Sequence, residues 1–203
     1  MKRSLSIGVF VSGMAIAGLA LAFHGQANRS NNKSGEQGES RVAHGFDIAP
    51  VHLNLEDKDR ELVGLGSYLV NGPGACNACH TSQPYDQGGD PFLGQPAKIN
   101  ADHYLAGGKA FGPYISRNIT PDEHGLPAGR TFPEFYTVMI TGIDFNHAMN
   151  DPGPALLQVM PWPTFRNMTF HEIRAIYEYL RAIPHACPPA PPPGTTLPPC
   201  SPD

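Results

Sequence analysis

Basic charge is scarce in this chain. Its 203 residues carry 14 Lys and Arg against 18 Asp and Glu, for a formal net charge of −4. Such a balance makes a poor nucleic-acid binder and leaves a field that favours partners with a basic docking patch. Cysteine is scarcer still, with four in all. A structural zinc site wants two ligand pairs of similar spacing, and the second pair is missing, because Cys187 and Cys200 lie in a proline-rich tail far from Cys76 and Cys79. His171-Glu172 begins like a zinc-protease helix but continues Ile173, Arg174, Ala175, so the second histidine of that motif is absent. Asp86 and Asp90, on either side of Gly88-Gly89, lack the ligand spacing of a calcium loop and read as a turn.

What the few cysteines do form is Cys76-Asn77-Ala78-Cys79-His80. Two cysteines with two residues between them, followed at once by histidine, make the attachment signature of c-type haem. At this composition roughly 0.003 such pentapeptides are expected by chance. The two thiols add across the haem vinyl groups as thioethers, and His80 supplies the proximal nitrogen to iron. The expected cofactor is one covalently attached haem c.

The N-terminus fits the compartment where such chemistry is found. Lys2 and Arg3 precede an apolar run from Leu5 to Phe23, which reads as an export signal. Cleavage fits after Ala22 or Ala27, yet nineteen uncharged residues also suffice for a retained membrane anchor. Both outcomes stay open, and both put the protein in the periplasm. Residues 24–51, polar and rich in Gly, Asn and Ser, read as a flexible linker. Residues 52–184 suit one domain with one core. Residues 185–203 form a proline-rich C-terminal tail, in which Cys187 and Cys200 are either a disulfide closing a short loop or two free thiols.

Within the domain the pattern is mainly helical. Leu62, Leu65, Leu69 and Val70 make one helical face between Asp57 and Val70, stopped by Asn71-Gly72-Pro73-Gly74. Residues 81–130 hold eight glycines and six prolines, so a long loop region follows the haem motif. Thr131 and Glu134 have capping-box spacing before the stripe Phe132, Phe135, Tyr136, Met139, Ile140. The last helix is the clearest, with a Thr169/Glu172 capping box, a Met168/Ile173 staple and Ile173, Ile176, Tyr177, Leu180 and Ile183 at helical spacing up to Pro184.

A single histidine leaves one axial position on iron, and its occupant separates an electron carrier from a haem that binds small molecules. Four methionines follow the motif. Met139 belongs to a helix stripe and Met168 to the staple, while Met149 sits in a polar loop. Met160 precedes Pro161, which pushes it into extended geometry, with Trp162 and Phe165 near to exclude water. Met160 is therefore the expected second ligand, with Met149 next. His103, His124 and His147 stand in the intervening loops as rival ligands, and His171 reads as a helix-surface residue.

These residues resemble the class I cytochrome c family, which carries its haem motif near the N-terminus and its axial methionine before the last helix. The likeness rests on Gly66-Ser67-Tyr68-Leu69 ahead of the haem motif, Asn118-Ile119-Thr120-Pro121-Asp122, Met160-Pro161-Trp162 and Ala175-Ile176-Tyr177-Glu178-Tyr179-Leu180-Arg181. More narrowly, the chain looks like single-haem units associated with bacterial membrane-bound alcohol and aldehyde dehydrogenases. The resemblance implies a mostly α, class I cytochrome c fold, from which this chain departs by a long Gly/Pro-rich loop insert between haem motif and methionine. It also implies that the first and last helices cross, with Gly66 allowing close approach and Tyr177 or Tyr179 at the crossing. By the same analogy, backbone near Pro73 or Gly74 accepts the His80 ring proton. The expected role is a one-electron carrier rather than an enzyme, working with a dehydrogenase, oxidase or respiratory complex. The rival reading is a haem enzyme or gas sensor with an open sixth site.

Overall fold

Asp59 starts the first long helix by turning its side chain back on the backbone, its Oδ1 accepting from Glu61 N at 2.9 Å and Leu62 N at 3.2 Å. Those are two of the donors that a helix start leaves without partners. In this computed structural model, which describes residues 38, 40–146, 155–190 and 200, the chain is mostly helical. Residues 40–47 form α1. They are followed by α2 (Arg60–Asn71), α3 (Cys76–His80), α4 (Phe132–Thr141), α5 (Trp162–Phe165) and α6 (Phe170–Ala182). The described strands are two residues each, β1 (Ala110–Phe111) and β2 (Tyr114–Ile115), paired antiparallel in one small hairpin.

The core lies where α2 and α6 cross. Val63, Leu69 and Val70 from α2 and Ile173, Tyr179 and Leu180 from α6 are buried together with Tyr104 and Leu105 from the intervening loop. The crossing is close because Gly66 has no side chain: a Cβ there would stand 2.0 Å from Ala175 O and 2.7 Å from Tyr179 Cβ. Tyr179 is thus the tyrosine at the crossing. Tyr177 turns the other way, its ring 5.3 Å from Phe132 and 5.4 Å from Phe135 on α4, with its hydroxyl donating to Arg130 O at 3.0 Å.

Both capping boxes form. Glu134 accepts from Thr131 N at 2.9 Å, and Glu172 accepts from Thr169 N at 2.8 Å while Thr169 Oγ1 accepts from Glu172 N. Met168 and Ile173 both pack on the core, as a staple should. Asp86 and Asp90 serve a turn: Gly89 N donates to Asp86 O, Asp86 pairs with Lys98 at 2.8 Å, and Asp90 caps the 3-10 turn Pro91–Leu93.

The sequence predicts a flexible linker through residue 51, but its last part folds. Helix α1 packs on α2 through two glycines, since a Cβ on Gly45 would lie 1.9 Å from Gly64 O. Ser67 Oγ donates to Gly45 O at 2.6 Å, and Val42 and Phe46 sit against the core. Two apolar side chains flanking a glycine are too few to show as a helical stripe, so composition alone misplaces this segment. Residues 1–37, including the apolar run from Leu5 to Phe23, lie outside the described residues. Among the described residues no helix is long and apolar enough to cross a membrane.

The chain after α6 is not free of the domain either. His185 Nδ1 donates to Pro121 O at 2.7 Å, Asn118 Nδ2 to Ala186 O at 2.7 Å, and His103 Nδ1 to Cys187 O at 2.8 Å. Cys187 and Cys200 are joined as a disulfide. The Asn118–Asp122 segment is therefore covered by the beginning of the tail.

Candidate functional site

The pentapeptide of the haem motif is itself α3, one turn and a half of helix beginning after Ala75, whose φ of 46° is left-handed. Helical spacing puts Cys76, Cys79 and His80 on neighbouring positions of a single turn. Both cysteines are unpaired and half-buried. Burial, with the adjacent Cys79 adding to it, pushes the Cys76 thiol up to about 12, so in the haem-free chain it stays a thiol across the physiological range.

The helix is stitched to a loop that wraps it. Asn77, buried, donates to Pro84 O and accepts from Thr81 Oγ1 at 2.6 Å, and Thr81 Oγ1 in turn accepts from Leu105 N at 2.9 Å. Gly107 N donates to His80 O at 2.6 Å, and Lys109 Nζ to Ala78 O at 2.7 Å. Only glycine fits at 107. Its φ is +79°, and a Cβ would stand 2.5 Å from Arg117 C and Asn118 N.

That close approach brings the carbonyl of Arg117 to the histidine. His80 Nδ1 lies 2.8 Å from Arg117 O, and since a carbonyl only accepts, Nδ1 carries the proton and Nε2 keeps its lone pair. The acceptor is thus Arg117, 37 residues downstream, and not the backbone near Pro73 or Gly74. Gly74 is engaged elsewhere, its N–H donating to Leu69 O at 2.8 Å. Burial holds the His80 ring below its ordinary value against the opposing pull of the Arg117 carbonyl. The neutral ring with a free Nε2 is the form a metal takes.

The chemistry of this donor set fits covalent haem: two unpaired thiols at the required spacing and a histidine whose second nitrogen is already committed to a carbonyl. The expected second ligand is more loosely placed. Met160 closes the bend at residues 158–160 just before α5 and is half-buried, packing on the same core cluster that Cys76 touches. Trp162, two residues on, is fixed by Nε1 donating to Leu157 O at 3.2 Å and by Gly142, whose missing Cβ would meet the indole at 2.4 Å. Met139 is core and Met168 packs beside it. Met149 and His147 lie outside the described residues. Of the other histidines, His103 is held by Cys187 O, while His124 and His171 are exposed.

Arg117, Gly107 and the Asn77/Thr81 pair are the residues of the candidate site that sequence reasoning misses. Arg117 abuts the Asn118–Asp122 motif, which is the one signal pointing to it. Near the tail, His185 Nε2 and the sulfurs of Cys187 and Cys200 lie within 4.8 Å of one another. The disulfide consumes both thiolates, so this cluster holds no metal as it stands.

Comparison with known proteins gives consistent relatives. The chain is 32% identical over 128 residues to the alcohol dehydrogenase (quinone) cytochrome c subunit of Gluconacetobacter polyoxogenes, matching 61% of this chain. It is 30% identical over 131 residues to the corresponding subunit of Gluconobacter oxydans (strain 621H). It is 29% identical over 118 residues to the gluconate 2-dehydrogenase cytochrome c subunit of Pantoea cypripedii, matching 58% of this chain. In each case the match spans 22% of the relative's own length. No family model and no solved structure matches the chain. The chain is similar, then, to cytochrome c subunits of dehydrogenases, and the mostly helical architecture is compatible with a cytochrome c fold.

Proposed function

We propose that this chain is a single-haem c-type cytochrome domain, a one-electron carrier with His80 and Met160 as axial ligands, exported to the bacterial periplasm and serving a respiratory dehydrogenase. The observation that carries the reading is the pairing of unpaired Cys76 and Cys79 with a His80 whose Nδ1 is bound to Arg117 O, so that Nε2 keeps its lone pair. Similarity to dehydrogenase cytochrome c subunits supports it. The motif occurs once in the 203 residues, which supports a single haem.

Haem c, once attached, supplies an iron that cycles between ferrous and ferric states. Everything else falls to the residues of the chain. Cys76 and Cys79 fix the group covalently, so repeated reduction and oxidation cannot release it. His80, oriented by Arg117 O, has lone-pair direction and basicity set by a hydrogen bond rather than by solvent. Gly107, through His80 O, prevents the helix from turning away. Met160 would hold the group from its second side through a thioether, a ligand that suits both oxidation states. The glycine-rich stretch from residue 81 to 130 is, on this reading, an insert that shields one side of the site and adds partner surface. Partners are a dehydrogenase and a downstream acceptor, with residues 5–23 a signal or membrane anchor.

The test is Met160→Leu in the haem-loaded protein. It is expected to abolish the methionine-to-ferric-iron charge-transfer band and to lower the reduction potential, while the pyridine haemochrome count stays at one haem per chain. An unchanged band and potential would assign the second ligand to another methionine, and a parent protein without the band would instead show the behaviour of a haem enzyme or gas sensor.

A further inference from the structure

The carbonyl that orients His80 belongs to a residue whose side chain is itself tied down. Arg117 Nη2 lies 2.6 Å from both carboxylate oxygens of Asp144. Asp144 comes from a different part of the chain, the segment after α4. Its carboxylate is largely shielded, at 17% exposure, against 40% for Arg117. Asp144 is anchored at its own backbone as well. Its N–H donates to Ala155 O at 2.9 Å, and just ahead of it Ile143 bridges to Leu156 and Leu157 N donates to Gly142 O at 2.8 Å. Leu157 stands three residues ahead of Met160. An arginine fixed at both its carbonyl and its guanidinium has little freedom to rotate its peptide, and a pair whose carboxylate is shielded is held more tightly than a fully exposed one.

We propose that Asp144 is a positioning residue for His80: by holding the Arg117 side chain it fixes the Arg117 carbonyl on His80 Nδ1, and so sets the basicity of the histidine toward iron. The same ion pair ties the loop that governs His80 to the segment that leads to Met160. This proposal rests on the reading of His80 as a haem ligand.

Charge and positioning make opposite predictions for one of the two partners. A carbonyl hydrogen bond makes imidazole a stronger donor, which favours the ferric form. Loosening it raises the reduction potential, whichever partner of the ion pair is removed. As a simple charge effect, by contrast, losing Asp144 raises the potential but losing Arg117 lowers it.

The experiment compares Asp144→Ala and Arg117→Met with the parent in the haem-loaded full chain. Redox titration is expected to shift the potential upward in both variants. Proton NMR is expected to show the His80 Nδ1 proton exchanging with solvent several-fold faster in both, in haem-loaded and haem-free protein alike. Shifts of opposite sign in the two variants, or Nδ1 exchange as slow as in the parent, overturn the proposal. Absence of covalent haem from the parent protein would instead overturn the function proposed above, and the haem-free exchange rates would still decide the role of Asp144.

Discussion

At the scale of single residues the site depends on one absent side chain. Gly107 presents its N–H to His80 O and its bare α-carbon to the Arg117 peptide. Gly107→Ala adds a left-handed non-glycine residue, worth roughly 1–2 kcal/mol, to a collision with backbone that has no flexible end to move. The expected outcome is a loss of at least about 2 kcal/mol in urea unfolding of the haem-loaded protein, with the His80 Nδ1 proton exchanging faster as the Arg117 carbonyl is displaced. A variant as stable as the parent with unchanged exchange would count against this role. Gly107 could not be read from the sequence, and Arg117 is marked there only by its place beside Asn118. Their partners lie 27 and 37 positions from them, and one glycine among eight in a loop carries no mark of what it touches. Cys76, Cys79 and His80, by contrast, stand out in the sequence because the covalent attachment proposed above demands a fixed local spacing.

Among the helices, legibility follows the range of the determining interaction. The Thr131/Glu134 and Thr169/Glu172 boxes close within four residues, so the residue types alone locate both starts. The linker through residue 51 goes wrong at α1 because what makes it a helix in place is Gly64 of another element. The crossing of α2 and α6 came from family resemblance, and its detail is steric. Gly66→Ala would put a methyl 2.0 Å from Ala175 O, forcing the two helices apart across the best-buried part of the core. A destabilisation of about 3 kcal/mol is expected, read as a lower thermal midpoint in calorimetry. A loss below about 0.5 kcal/mol would mean that the helices can slide past each other without penalty.

For the molecule as a whole, two linkages are measurable. The first is the disulfide between Cys187 and Cys200, at a sequence separation of 13, next to Ala186, which meets Asn118 and Thr120. Replacing both cysteines by serine should cost about 3 kcal/mol on the loop-entropy account. Thermal melts of the double variant that overlay the parent would contradict it. The second is pH. In haem-free protein the His80 ring titrates below its ordinary 6.5 because burial outweighs the Arg117 hydrogen bond. The unfolded chain therefore binds this proton at higher pH than the folded one does. That contribution to stability is fully present above 6.5 and is lost as pH falls through the folded value. Urea midpoints of haem-free protein should decline from about pH 7.5 to about pH 5, and His80→Ala should flatten that slope. The docked tail is the part of this whole-molecule picture least visible in sequence, because proline-rich composition says only that no helix continues and nothing of which carbonyls the segment will meet.

The crossing at Gly66 and Ala175 also orders events in time. The apolar face of α2 finds most of its cover on a helix made more than a hundred residues later. While the chain is being synthesised, that face and the neighbouring cysteines stay open, and the fold cannot commit until α6 has emerged. The interval is a built-in delay during which, on the function proposed above, Cys76 and Cys79 remain reachable for attachment of haem.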